Sequence, residues 1–384
     1  MKEKITKEIE NNLDSLVSIS KCLYEHPELG GEEYLAAKTL TDELKDRGFQ
    51  VEEKICGLET AFRAVYDSGK AGASVAFFCE YDALPSIGHG CGHNLIASMS
   101  LGAAIGLKSV LDEIGGKIFV FGTPAEETNG AKVQMAREGI FDGITVGIMT
   151  HPSPVTEESG TSMALYPMNF QYRGKASHAA ASPEKGINAL DAVILLFNSI
   201  NALRQHVTRD VMFHGIITAG GEAPNVVPDF TEAKFYIRAA NKKNLMEAVK
   251  RVEDCAYGTE RITGAKVTIS CFEAVFDDMR TNKTLSEVYN KNLMNLGEDR
   301  ISPASAGIGS IDMGNVSHVI PSIHPWIGFG DENLVIHTRE FAERTITEEG
   351  KNLIRKAAAA MAMTGYDVIT SYELQKQIIE EFLR

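Results

Sequence analysis

The sequence predicts an α/β protein: a mainly parallel sheet flanked by helices, interrupted by an inserted ferredoxin-like α+β domain. Three observations predict it. Short apolar runs alternate with helical stretches in the first half, the pattern of a parallel sheet covered on both faces. Three of those runs end in polar, ligand-type residues. From about residue 163 the order changes to β-α-β-β-α-β, a split-βαβ arrangement.

The elements follow in order. Apolar periodicity gives helices over 5–25 and 32–47, broken by Gly30-Gly31 and closed by Gly48, so the first ~65 residues read as mainly helical. An apolar run at 75–78 ends in Cys79-Glu80-Tyr81-Asp82. A helix rich in small residues covers 95–111. The run 117–122 ends in Thr123-Pro124-Ala125-Glu126-Glu127, and the run 144–150 ends in His151-Pro152. In open α/β sheets ligands bind beyond the carboxyl ends of the strands. The insert reads as strand 163–172, helix 186–204, strands 211–218 and 228–238, helix 242–260 and strand 266–273. A helix over 284–296, an apolar stretch at 323–329 and a helix over 347–363 then resume the first pattern. The expected division is a discontinuous α/β domain, 1–162 with 276–384, and an inserted domain, 163–275.

Length and composition agree with two domains: 384 residues, of which 44% are hydrophobic. A net charge of -14 repels nucleic acid and anionic membranes, so neither is an expected partner. No apolar run reaches the roughly 20 residues of a membrane helix. The charged start, Met1-Lys-Glu-Lys-Ile-Thr, has no apolar signal region, and the expected location is cytoplasmic. The six cysteines are scattered without a CxxC pair, which is no disulfide framework. Among them, Cys91 alone sits between histidines and glycines.

His89-Gly90-Cys91-Gly92-His93 is the first chemical motif. Thiolate and imidazole suit zinc and neighbouring divalent metals, and residues two apart in an extended segment share a side. Glu126-Glu127 is the second. Successive side chains at a strand end point apart, so one carboxylate can bind metal while the other stays free as a base. His151 is the third, again at an expected strand end. Asp82 is placed to orient a ligand histidine and raise its basicity. Residue chemistry alone does not choose His337 over His318 or His324.

Several blocks, in this order, are similar to the metallopeptidase family that includes aminoacylases and glutamate carboxypeptidase. They are His26-Pro27-Glu28-Leu29 with Glu33, Tyr81-Asp82-Ala83-Leu84-Pro85, His89 to His93, Pro124 to Glu127, and His151-Pro152. Gly174-Lys-Ala-Ser-His178, Pro224-Asn225-Val226-Val227-Pro228 and His337-Thr-Arg-Glu-Phe341 complete the set. Within the amidohydrolase branch, Cys91-Gly92-His93-Asn94 and Ser310-Ile-Asp312-Met-Gly314 look most like aminobenzoyl-glutamate hydrolases and related dipeptidases.

The resemblance implies two divalent metal ions (zinc, manganese, cobalt or nickel). Cys91 would bridge them, and His93, Glu127, His151 and His337 would complete the coordination. It implies Glu126 as general base, His178 as a group reaching the substrate carbonyl across a homodimer, and Asn225 and Arg238 as substrate-holding residues. The implied substrate is a small N-acyl amino acid, an aminobenzoyl-glutamate-like compound or a dipeptide. Glu80 departs from the pattern, standing where two-metal peptidase branches carry a histidine ligand. Two other readings remain open at this point: a cysteine hydrolase using Cys91, and a non-catalytic metal-binding protein.

Overall fold

Ile5, Ile9, Leu13, Leu16, Ile19 and Leu23 recur every three or four residues and are all buried, so the chain opens with a long amphipathic helix, α1 (Lys2–Glu25). The computed structural model describes residues 1–304, 307 and 309–384. After α2 (Tyr34–Asp46) come two strands, β1 (Gln50–Glu53) and β2 (Phe62–Asp67). Both expected helices are present, so the first ~65 residues are mainly helical as read, but the two strands were not expected. Four polar-rich residues at a sheet edge, as in β1, carry no apolar run by which to recognise a strand.

The chain continues through β3 (Ser74–Cys79), α3 (His93–Ile114), β4 (Lys117–Gly122), α4 (Ala131–Arg137), β5 (Val146–Ile148) and β6 (His151–Ser153). The insert comprises β7 (Ala164–Arg173), α5 (Ala189–Leu203), β8 (Met212–Ala219), β9 (Phe230–Ala239), α6 (Lys242–Thr263) and β10 (Lys266–Cys271). The remainder is α7 (Lys283–Asn295), α8 (Met313–Ser317), β11 (Ser322–Ile323), β12 (Trp326–Gly328), α9 (Arg339–Arg344), α10 (Glu348–Thr370) and α11 (Tyr372–Phe382).

Two compact units result. Unit 1 comprises Met1–Thr161, the described residues of Met279–Gly307, and Ile311–Arg384; unit 2 comprises Ser162–Asp278 and the described residues of Ile308–Ser310. In unit 1 the sheet order is β1-β2-β4-β3-β5-β11. The β4–β3, β3–β5 and β5–β11 pairs are parallel, and the β1–β2 edge joins β4 antiparallel. The period of two in β3 sends alternate side chains to two cores. Val75, Phe77 and Cys79 join α1, α3 and α10 on one face, while Ala76 and Phe78 meet Met135, Phe141, Met313 and Val316 on the other. Helix α3 has the length and apolarity of a membrane span, but most of it is buried in this core.

One expected strand end moves. The 144–150 run pairs with β3 only over Val75–Phe77. His151 then starts β6, which pairs in parallel with β12 in the register Trp326↔His151. Thus His151 opens a second, two-stranded sheet rather than closing a strand of the first.

Unit 2 has the sheet order β10-β7-β9-β8, every pair antiparallel. Met168, Phe170 and Tyr172 on β7 and Ala233, Phe235 and Ile237 on β9 alternate into one core with residues of α5 and α6. Asn188 and Asn241 cap those two helices by accepting backbone N–H bonds.

Candidate metal centre

Beyond the carboxyl end of β3, the chain turns through residues 80–92 before α3 begins. Gly92 makes the last step possible: its φ is +81°, and a Cβ there would lie 2.5 Å from Pro152. This brings Cys91 and His93 against His151, although the segments are far apart in sequence.

Ligand atoms of Cys91, His93 and His151 all lie within 4.8 Å of one another, as do those of Cys91, Glu127 and His337. The Cys91 sulfur therefore belongs to both triples. It lies 3.4 Å from His151 Nε2 and 3.3 Å from His337 Nε2, and the latter lies 3.4 Å from Glu127 Oε1. His337 reaches this point on a left-handed backbone (φ +67°), its N–H donating to the Gly90 carbonyl at 2.8 Å. A left-handed non-glycine residue costs about 1–3 kcal/mol and persists where the surroundings fix it.

Two of the three imidazoles, those of His93 and His151, are oriented from behind. His93 Nδ1–H donates to Asp82, 2.9 Å from its carbonyl and 3.0 Å from its carboxylate, which leaves Nε2 facing the cluster. His151 Nδ1–H donates to the Pro152 carbonyl at 2.7 Å. Burial pushes His151 down to about 3, so its Nε2 lone pair is available at neutral pH. Burial also disfavours protonated His93, but Asp82 and Cys91 outweigh it and raise that imidazole well above its ordinary value.

The donor set fits divalent ions. Among the described residues, His93 Nε2 and Glu127 Oε1 are buried without a hydrogen-bond partner, an arrangement that costs free energy in a protein core unless something else satisfies them. A thiolate, imidazoles and a carboxylate together suit zinc and its neighbours.

Glu126 and Glu127 are presented by a second strained turn. Ala125, just before them, has φ +59°. Two buried carboxylates hold this turn: Glu33 accepts from Ala125 N–H at 2.8 Å, and Asp82 accepts from Glu127 N–H at 3.0 Å. Glu33 is itself fixed by Gly31 N–H at 2.9 Å and the Thr60 hydroxyl at 2.8 Å. A Glu126 carboxylate oxygen lies within 4.8 Å of ligand atoms of His93 and Glu127, and in a separate grouping of Glu80 and Asp312. Burial, with Glu80 and Asp312 adding to it, raises the Glu126 carboxyl well above the usual range.

Lys132 carried no signal strong enough to single it out in the sequence. It is fully buried, 2.6 Å from Glu80 Oε1 and 2.7 Å from Asp312 Oδ1. Burial alone would raise Glu80, but Lys132 and the nearby histidines reverse this and hold it at about 2. Glu80 therefore enters the site as an ion-paired carboxylate, its other oxygen 3.5 Å from His93 Nε2. The available clue was a lysine directly between Ala131 and Val133. Trp326, whose ring centroid is 4.5 Å from that of His151, was equally unmarked.

The remaining expected residues lie in unit 2. His178 is exposed, and its Nδ1 accepts from the N–H groups of Ala180 and Ala181, both at 3.2 Å, which assigns the ring proton to Nε2. Asn225 runs beside it: Ala179 N–H donates to the Asn225 carbonyl at 3.0 Å, and His178 bridges to Val226. Arg238, near the end of β9, is half-buried and donates to Ser310 Oγ at 3.0 Å.

Known proteins resemble this chain over its whole length. Residues 167–260 match the M20_dimer model, a peptidase dimerisation domain. The chain is 37% identical to the Xaa-Arg dipeptidase of Mus musculus, covering 100% of this chain and 92% of that protein. It is 32% identical to a component of the p-aminobenzoyl-glutamate hydrolase of Escherichia coli K12, over 75% of this chain and 64% of that one. In fold it is similar to a dinuclear metal-binding peptidase of the M20 family from Bacillus subtilis, with a TM-score of 0.69 at 19% identity, covering 94% of this chain and 100% of that one.

Proposed function

Because the chain belongs to the M20 family of peptidases, it is a metal-dependent hydrolase of peptide and amide bonds, and we propose that its substrates are dipeptides ending in arginine. The observation that carries the reading is the Cys91 sulfur shared by two ligand triples, with Glu126 beside them. The choice of dipeptide rests on the full-length likeness to the Xaa-Arg dipeptidase. N-acyl amino acids and aminobenzoyl-glutamate-like amides are the next candidates.

In this proposal Cys91, His93 and His151 hold one ion, and Cys91, Glu127 and His337 hold a second. When bound, such ions (zinc, manganese, cobalt or nickel) polarise a carbonyl and bring the pKa of water from about 15.7 toward 7. Glu126 takes the proton of the attacking water and delivers it to the leaving amine nitrogen. With ions held beside it, Glu126 would favour its ionised form, offsetting the burial that otherwise raises it. His178, through Nε2–H, donates to the developing oxyanion. Arg238 offers a planar fork to the substrate's free carboxylate, with Asn225 as a further polar contact.

A homodimer is part of the same reading. Strand β8 is an edge of the unit 2 sheet, with Ile216 and Ile217 exposed. An open apolar edge is a surface for pairing with another copy.

The cysteine-hydrolase reading loses support from burial, which pushes the Cys91 thiol well above its ordinary value and leaves it a poor nucleophile without a metal. The test is a chromatographic screen of dipeptides and N-acyl amino acids with each metal added in turn. Metal-dependent release of C-terminal arginine, abolished by a chelator, is the expected result. Activity that survives chelation, or preference for N-acyl amino acids, contradicts the reaction or the substrate class respectively.

A further inference from the structure

The Lys132 ammonium is a charge that the hydrolytic chemistry above does not use. It lies in the first turn of α4, fully buried. It bonds to Glu80 Oε1 at 2.6 Å and Asp312 Oδ1 at 2.7 Å, while its own backbone N–H donates to Asp312 Oδ2 at 3.2 Å. Carboxylate oxygens of Glu80, Asp312 and Glu126 all lie within 4.8 Å of one another. Three carboxylate oxygens at that spacing are the donor set of a hard divalent cation. The chain itself supplies the cation, on a stem anchored by the helix.

Stability alone is a poor account of this arrangement. Buried ion pairs often contribute no more than apolar residues of the same volume. Its other consequence is charge compensation beside the base. We propose that Lys132 is a resident cation: it occupies the place that the three carboxylates around it would otherwise fill with a divalent ion, and so keeps Glu126 free. In its absence Glu80, Asp312 and Glu126 gather around an exchangeable metal, and Glu126 becomes a ligand. Lys132 is thus a positioning residue, acting on the reaction through Glu126. The inference rests on the reading of Glu126 as base and of the Cys91 cluster as the primary metal site.

The test compares wild type, Lys132→Met, and the compensated variant Lys132→Met/Glu80→Gln/Asp312→Asn. Each is prepared as the full chain with zinc, then titrated with Mg²⁺, which favours oxygen donors over thiolate and imidazole. Metal per chain is measured by elemental analysis, and melting temperature is measured with and without Mg²⁺. Lys132→Met should gain one equivalent of metal over wild type and an Mg²⁺-dependent rise in melting temperature, and the compensated variant should gain neither. The proposal is overturned if Lys132→Met folds with the wild-type metal count or stays unfolded at saturating Mg²⁺. An equal gain in the compensated variant overturns it too. The zinc content of wild type reports separately on the Cys91 cluster: no zinc there sinks the underlying reading, while the Mg²⁺ response of Lys132→Met still decides the role of the ammonium.

Discussion

In unit 1 the ligand-type side chains are held from behind. Asp82 fixes His93 and the Glu127 backbone, the Pro152 carbonyl fixes His151, and Glu33 fixes the Ala125 turn. In unit 2 His178 and Asn225 are exposed, and Arg238 donates to the Ser310 hydroxyl. The first set is built to hold a fixed geometry before anything binds. In the proposed reading the second set meets the substrate, through the His178 Nε2–H and the half-buried Arg238 guanidinium. Preorganised charge is what a hydrolytic centre needs, because reorganisation at the moment of reaction costs rate. Mutations in unit 1 should therefore act on kcat or on metal content, and mutations in unit 2 on events that need substrate.

The largest expected effect lies at the base. Glu126→Gln should lower kcat by about 10²–10⁴-fold while metal content stays at the wild-type value. Loss of metal along with activity would make Glu126 a ligand and blur the division. Next, His178→Ala should lower turnover by about 10²–10³-fold with metal unchanged; near-wild-type turnover would remove unit 2 from the chemistry. Glu33→Gln should cost up to about 10²-fold in kcat by loosening the turn before Glu126. Adding Ala125→Gly, which accepts a positive φ without strain, should restore part of it. A loss that Ala125→Gly leaves untouched would reduce Glu33 to ordinary core support. The smallest effect is on binding: Arg238→Ala should raise KM by about 10-fold or somewhat more, the value of a hydrogen bond to a charged group. If amidating the substrate's carboxylate leaves the wild-type KM unchanged, Arg238 does not hold that group.

Much of unit 1 was legible in the sequence because its chemistry sits where α/β sheets put ligands. Glu127 closely follows β4, which an apolar run marks, while Cys91 and His93 lie in and at the end of the turn between β3 and α3 and are marked by the His89-Gly90-Cys91-Gly92-His93 motif. His337 was legible only by family resemblance, since its partner across the site, Cys91, is 246 residues away and nothing local to it signals the contact. The same distance problem hid Lys132, whose bond to Asp312 spans 180 residues, and Glu33, which reaches Ala125 over 92. A buried carboxylate and a solvated one read alike in one dimension. His151 shows the converse: its grouping with Cys91 was legible, but its place at the start of β6 was not, because the apolar run hides where one sheet stops and the next begins.

That one sulfur serves two metal positions is the claim on which the rest depends. An anomalous scattering map from crystals grown with zinc tests it most directly. Two peaks are expected, each about 2.3 Å from Cys91 Sγ, one beside His93 and His151 and the other beside Glu127 and His337. A single peak, or metal bound without contact to that sulfur, would contradict it.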